Sequence, residues 1–217
     1  ILDSSYFYFD GADRQGITPV VDVMGSMSGK VLIMVDNKDM LNPAVYLMDV
    51  LGKFNGEINN IDVLPWQGEI PENYNFVILA LNPSGINNLN VPLKVNQGGF
   101  SIINPLSKNE MFSSEYSNGF GILQTFDKGK AKVLLLSYYK DKTTLEFMKD
   151  FDKDTLSRML GNVVIFNQDM ASFDIGEKFR VVYKEIKSTG YYWDKYKLFI
   201  ILIFGFLAIL CLYFIKK

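Results

Sequence analysis

The side chains that most often do chemistry are scarce in this chain. It holds no histidine and a single cysteine, Cys211, which removes Ser-His-Asp and Cys-His nucleophilic pairs, His-ligated zinc and the common proton shuttle. Cys211 lies inside an apolar run, so neither a disulfide framework nor a thiolate cluster can be built. Three spacings remain to be weighed. Gly25-Ser26-Met27-Ser28-Gly29-Lys30 has the outline of a phosphate loop, but three residues separate its glycines where four are needed. It also carries Val31 where a hydroxyl must hold magnesium, and it precedes a strand instead of following one. Asp150, Asp152 and Asp154 alternate as carboxylates do when they converge on a metal-bound sugar nucleotide, yet they sit in a mixed-charge stretch of the kind that forms a solvated helix face.

The third is Asp36-Asn37-Lys38-Asp39-Met40-Leu41, placed after the first central strand, where a flavin phosphate would need a Ser/Thr/Gly-rich loop of backbone N–H groups. Two carboxylates and no glycine make a poor anion cradle, so neither a cofactor nor a metal is expected. Aromatic side chains offer one more chemistry: Trp66, with Tyr6 and Tyr8 of the stretch Tyr6–Phe9, are candidates for stacking on sugar rings, with core packing as the competing use. Glu115-Tyr116-Ser117-Asn118-Gly119 reads as a plain loop.

The elements that must position these groups follow from composition and periodicity. With 217 residues, 48% apolar and 21% charged, the chain can bury one ordinary core; disorder, collagen and a miniature disulfide scaffold are excluded. A net charge of −2 supplies no basic field for nucleic acid. Residues 1–24 read as an N-terminal extended segment and 25–187 as one α/β domain, flavodoxin-like in class, a three-layer sandwich around a mostly parallel sheet. Continuous apolar runs at Lys30–Val35, Phe76–Leu81 and Lys132–Ser137 predict strands covered on both faces. Between the first two, Asn42 is placed to cap a helix with Pro43 in its first turn and Leu47, Val50, Leu51 and Phe54 as its apolar face. Further strands are expected at Ile58–Leu64, Gly98–Ile103, Gly119–Phe126, Val163–Phe166, Ala171–Ile175 and Phe179–Tyr183. Lys140–Asp154 reads as a charged helix with Leu145, Met148 and Phe151 as its buried stripe, and Asp154 as the cap of a further turn.

Leu198–Ile215 contains no charge over eighteen residues, about 27 Å of helix, which predicts a single transmembrane span. Tyr191, Tyr192, Trp193 and Tyr196 precede it as an interfacial belt, and residues 188–197 read as a short amphipathic segment lying in the interface. Within the span Leu198, Leu202, Gly205, Ala208 and Leu212 are the expected contacts to lipid or a partner helix, the two small residues permitting close approach. Two lysines on each flank leave orientation undecided by charge. Residue 1 is Ile and no charged leader follows, so a processed or truncated N-terminus is expected.

Leu160-Gly161-Asn162-Val163-Val164-Ile165-Phe166, then Met170-Ala171-Ser172-Phe173, then the aromatic interfacial stretch and the C-terminal span occur in an order that resembles the C-terminal part of the regulatory B subunit of bacterial cellulose synthase. The resemblance covers residues 25–217. It implies a flavodoxin-like domain without flavin, held outside the cytoplasm at the plasma membrane. It further implies an anchor docked beside a catalytic family-2 glycosyltransferase, and contact with a β-glucan polymer. On that footing the expected function is a noncatalytic membrane-anchored accessory subunit of a β-glucan synthase. The competing expectations are an anchored flavin- or nucleotide-binding enzyme and a tail-anchored cytoplasmic adaptor.

Overall fold

The computed structural model describes residues 18–54, 58–95 and 98–184, together with Tyr196, Lys197, Ile201 and Ile203. The chain divides into two units, Ile1–Tyr183 and Lys184–Lys217. In the second, Tyr196, Lys197, Ile201 and Ile203 have helical backbone, with Tyr196, Ile201 and Ile203 exposed. Among the described residues no helix is long and apolar enough to cross a membrane. Apart from Ile201 and Ile203, the expected span 198–215 lies outside them.

The first unit opens with α1 (Val20–Ser26) and β1 (Gly29–Val35), followed by α2 (Leu41–Phe54), β2 (Ile58–Pro65) and β3 (Phe76–Ala80). Then come β4 (Phe100–Ile103), β5 (Glu110–Ser113), β6 (Phe120–Lys128) and β7 (Ala131–Tyr139). It closes with α3 (Lys153–Ser157), β8 (Val163–Phe166), β9 (Met170–Phe173) and β10 (Arg180–Tyr183). Seven strands make the central sheet, in the order β2-β1-β3-β7-β6-β8-β9. The pairs β2-β1, β1-β3 and β3-β7 are parallel, and β7-β6, β6-β8 and β8-β9 are antiparallel. Thus β2, β1, β3, β7 and β8 point one way and β6 and β9 the other. The β6-β7 hairpin explains the switch: Lys128 pairs with Ala131 across Gly129, whose φ of 62° lies where a side chain is strained.

Alternation along each central strand separates two cores. Val31 and Ile33, Ile78 and Ala80, Leu134 and Leu136, and Val164 and Phe166 face the helices, where they meet Val23 and Met24 of α1 and Leu47, Val50 and Leu51 of α2. Leu145 and Met148 of the 3₁₀ segment Lys142–Asp150 join them. Leu32 and Met34, Val77 and Leu79, Val133 and Leu135, and Val163 and Ile165 face the other way, onto Ile86–Val95 and Phe100 and Ile102 of β4. There the covering layer is a small sheet, β10-β4-β5, joined by irregular chain. The architecture is therefore α/β with helices on one face of the sheet and strands on the other, where helices on both faces were expected.

Two local expectations are replaced. Residues 20–24, read as extended, belong to α1 with Val20, Val23 and Met24 fully buried. Three β-branched valines oppose a helix intrinsically, so docking on the sheet, with Val20 and Val21 donating backbone N–H bonds to the carbonyls of Gly161 and Met159, decides its form. The buried stripe Leu145, Met148, Phe151 has strict i+3 spacing, which suits the three-residue turn of the 3₁₀ segment found over Lys142–Asp150 better than an α-helix.

Candidate functional site at the C-terminal edge of the sheet

In an open α/β sheet a ligand crevice forms outside the carboxyl ends of the strands, where successive crossovers leave in opposite directions. Here that point lies between β1 and β3, which are adjacent while β2 lies on the far side of β1. Asp36 follows β1, and its Oδ2 accepts the N–H of Asn82, just beyond β3, at 2.7 Å. Asn82 Oδ1 accepts the Tyr138 hydroxyl from β7 at 3.1 Å. One polar chain thus ties the ends of three neighbouring strands. Gly85 closes over it: a Cβ there would lie 2.8 Å from Asp36 Oδ2, so no larger residue fits without moving the carboxylate. Burial pushes the Asp36 carboxyl above its ordinary range, and the backbone N–H groups of Asn82, Asp36 and Asn37 oppose that shift without reversing it.

The loop that would cradle a phosphate is closed by the chain itself. Asn37 Oδ1 accepts the N–H groups of Asp39 at 2.8 Å and Met40 at 3.2 Å, capping the 3₁₀ turn that runs into α2. Asn37 thus caps the turn that precedes the helix, and Asn42, expected as the helix cap, lies inside α2. Asp39 is paired with Lys142 at 2.6 Å, and that hydrogen bond raises the lysine above its usual value. Donors at Asp39, Met40 and Asn82 that could meet a phosphate therefore already serve internal oxygens. These bonds tie the strand ends to one another.

The Asp-x-Asp carboxylates do not converge. Asp152 caps α3, accepting Thr155 N–H at 2.7 Å and its hydroxyl at 2.6 Å, and these bonds hold its carboxyl below the usual range. The cap expected at Asp154 is thus two residues earlier. No cluster of three or more metal-binding side chains occurs among the described residues.

Trp66 is half-buried. Its backbone N–H donates to Val35 O at 2.8 Å, and its side chain packs against the core on the strand-covered face. Tyr196 has helical backbone and is exposed. Tyr6, Tyr8, Tyr191, Tyr192, Trp193, Leu198, Leu202, Gly205, Ala208 and Leu212 lie outside the described residues. Sequence reading missed Asn82 and Tyr138, which carry no local signal because their partners are 46 and 56 residues away. It also passed over Tyr116 and Asn118, which border a groove further along the same edge. A tyrosine followed by Ser-Asn-Gly in a polar loop was the available clue.

No family model matches the chain, and no curated protein is similar to it, so the likeness to a cellulose synthase regulatory subunit rests on the quoted residues alone.

Proposed function

We propose that this chain is a noncatalytic, membrane-anchored accessory subunit of a β-glucan synthase. Its α/β domain would lie outside the cytoplasm at the plasma membrane, with residues 188–215 docking beside a catalytic family-2 glycosyltransferase. One observation carries the noncatalytic part: at the place where an open α/β sheet takes its ligand, Asp36 and Asn37 occupy the N–H groups of Asn82, Asp39 and Met40. A bound phosphate would have to displace both side chains and face two carboxylates. The order β2-β1-β3 in an all-parallel half supports reading that half as a flavodoxin-like scaffold used for its rigidity. The partner is the enzyme that the resemblance implies, and the eighteen-residue uncharged run supplies a means of docking beside it.

The test exchanges residues 198–215 for an unrelated apolar helix of equal length in cells that carry the synthase. Membrane insertion should persist while polymer output falls several-fold and the glycosyltransferase no longer copurifies. Unchanged output would defeat the docking claim. Stoichiometric flavin or nucleotide in the purified protein would establish the enzymatic reading instead, and protection of the α/β domain inside sealed inverted vesicles separates this topology from a cytoplasmic adaptor.

A further inference from the structure

A second feature lies on the same edge of the sheet, beyond β7. Where the helix layer and the small sheet part, an open groove of about 560 Å³ forms over the ends of β7, β6 and β8. Phe112 and Tyr116 border it from the small-sheet side, and Thr143 and Phe147 from the 3₁₀ segment. Asn118, Asp141, Asn167 and Gln168 are among the other lining residues.

Tyr116 is 86% exposed, so its ring face is open to a ligand lying in the groove. The amides of Asn118 and Gln168 make no hydrogen bond among the described residues, and Asn167 spends only its oxygen, accepting from Asp169 N–H at 3.1 Å. The charged groups, by contrast, already make internal bonds. Asp141 accepts the N–H and hydroxyl of Thr143 at 2.9 and 2.8 Å, which holds its carboxyl low. The neighbouring Lys140 donates to Ser117 O at 2.9 Å and lies over the Tyr139 ring. Among the described residues no lysine or arginine lines the groove. An acidic polymer would meet the Asp141 carboxylate, with the one neighbouring cation, Lys140, already donating to Ser117 O, and a basic ligand would have to share that carboxylate with Thr143. Free amides beside an exposed ring suit a neutral, hydroxyl-rich ligand with an apolar face, which describes a pyranose.

We infer that this groove binds a neutral oligosaccharide, with Tyr116 as its stacking platform and Asn118, Asn167 and Gln168 bonding the ring hydroxyls. The choice of a β-glucan as probe rests on the function proposed above; the chemistry of the groove does not.

Cellohexaose is titrated by calorimetry into the full chain held in nanodiscs, with hexagalacturonate and an uncharged hydrophilic peptide as comparators. Cellohexaose should bind and neither comparator should. Tyr116→Ala should weaken binding about tenfold, the loss of about one aromatic contact, while Tyr116→Phe, which keeps the ring, stays within about twofold. Absence of cellohexaose binding, preference for the acidic hexamer or the peptide, or equal affinity in Tyr116→Ala would each overturn the site. Since Tyr116 is so exposed, both variants should melt with the parent, and a melting shift in Tyr116→Ala alone moves the readout to Gln168→Ala. Sugar binding without a copurifying synthase removes the proposed function and keeps the site; a copurifying synthase without sugar binding does the reverse.

Discussion

The two faces of the central sheet are held by different physics. On the helix face α1, α2, the 3₁₀ segment and α3 bury an almost wholly apolar core. On the strand face three buried side chains bond backbone groups directly. Gln124, fully buried on β6, accepts the N–H of Leu93 at 2.9 Å and donates to its carbonyl at 3.0 Å. Asn162 does the same for Ile175, at 2.8 and 3.0 Å. Ser114 accepts from the N–H of Phe100 at 2.8 Å. The reason lies in the backbone. A helix satisfies its own N–H and C=O groups, so a helical layer needs only an apolar face. Irregular chain such as Ile86–Val95 cannot, and once buried its polar groups must find partners. A carboxamide presents a donor and an acceptor side by side, which imitates a neighbouring strand.

The sharpest way to break this comparison is Gln124→Leu, which keeps the volume and orphans both polar groups of the fully buried Leu93. At about 1–3 kcal/mol for each orphaned group, the loss should be about 4 kcal/mol by chemical denaturation. Amide exchange at Leu93 should rise by a larger factor than in α2, and a loss under about 1 kcal/mol would show that these bonds are dispensable. On the opposite face Leu47→Ala, also at a fully buried site, should cost about 3 kcal/mol through lost burial and a residual cavity. There the exchange rates of α2 and β1 should move together, because no single polar pair holds the layer.

The smallest effect is expected at the sheet edge. Burial holds Asp36 above the ordinary aspartate value of 3.8, so the folded protein keeps this proton more tightly than the unfolded chain does. The contribution favours folding below the ordinary value and is lost as pH rises through the raised one. Asp36→Asn stays neutral and still offers an oxygen to the Asn82 N–H. It should melt slightly above the parent at neutral pH, the gap closing toward about pH 3. A gap that widens on acidification would show that the carboxylate stabilises the edge as an anion.

Legibility in the sequence divides along the same line. The central strands β1, β3, β7 and β8 were readable because burial on both faces imposes unbroken apolar runs, and α2 because it alternates at helical spacing. β5 was hidden in a polar segment because Glu110 and Met111 are exposed on the outermost strand of the small sheet. At the candidate site the acidity of the loop after β1 was legible, and with it the poor fit to a phosphate. That Asp36 reaches across to Asn82 was not, since no pattern within one segment encodes a bond between two strand ends.

The amino-acid sequence by itself determined the composition of the parallel half, the acid-rich turn after β1, the absence of histidine and the long uncharged run near the C-terminus. Each is a matter of residue type at short range. Tertiary structure alone decided that valine-rich residues 20–26 become a helix and that strands cover the second face. It also decided that Gln124 and Asn162 serve as substitutes for backbone. Those outcomes depend on which polar groups are left buried once the chain has closed, and that is a property of the assembled layers.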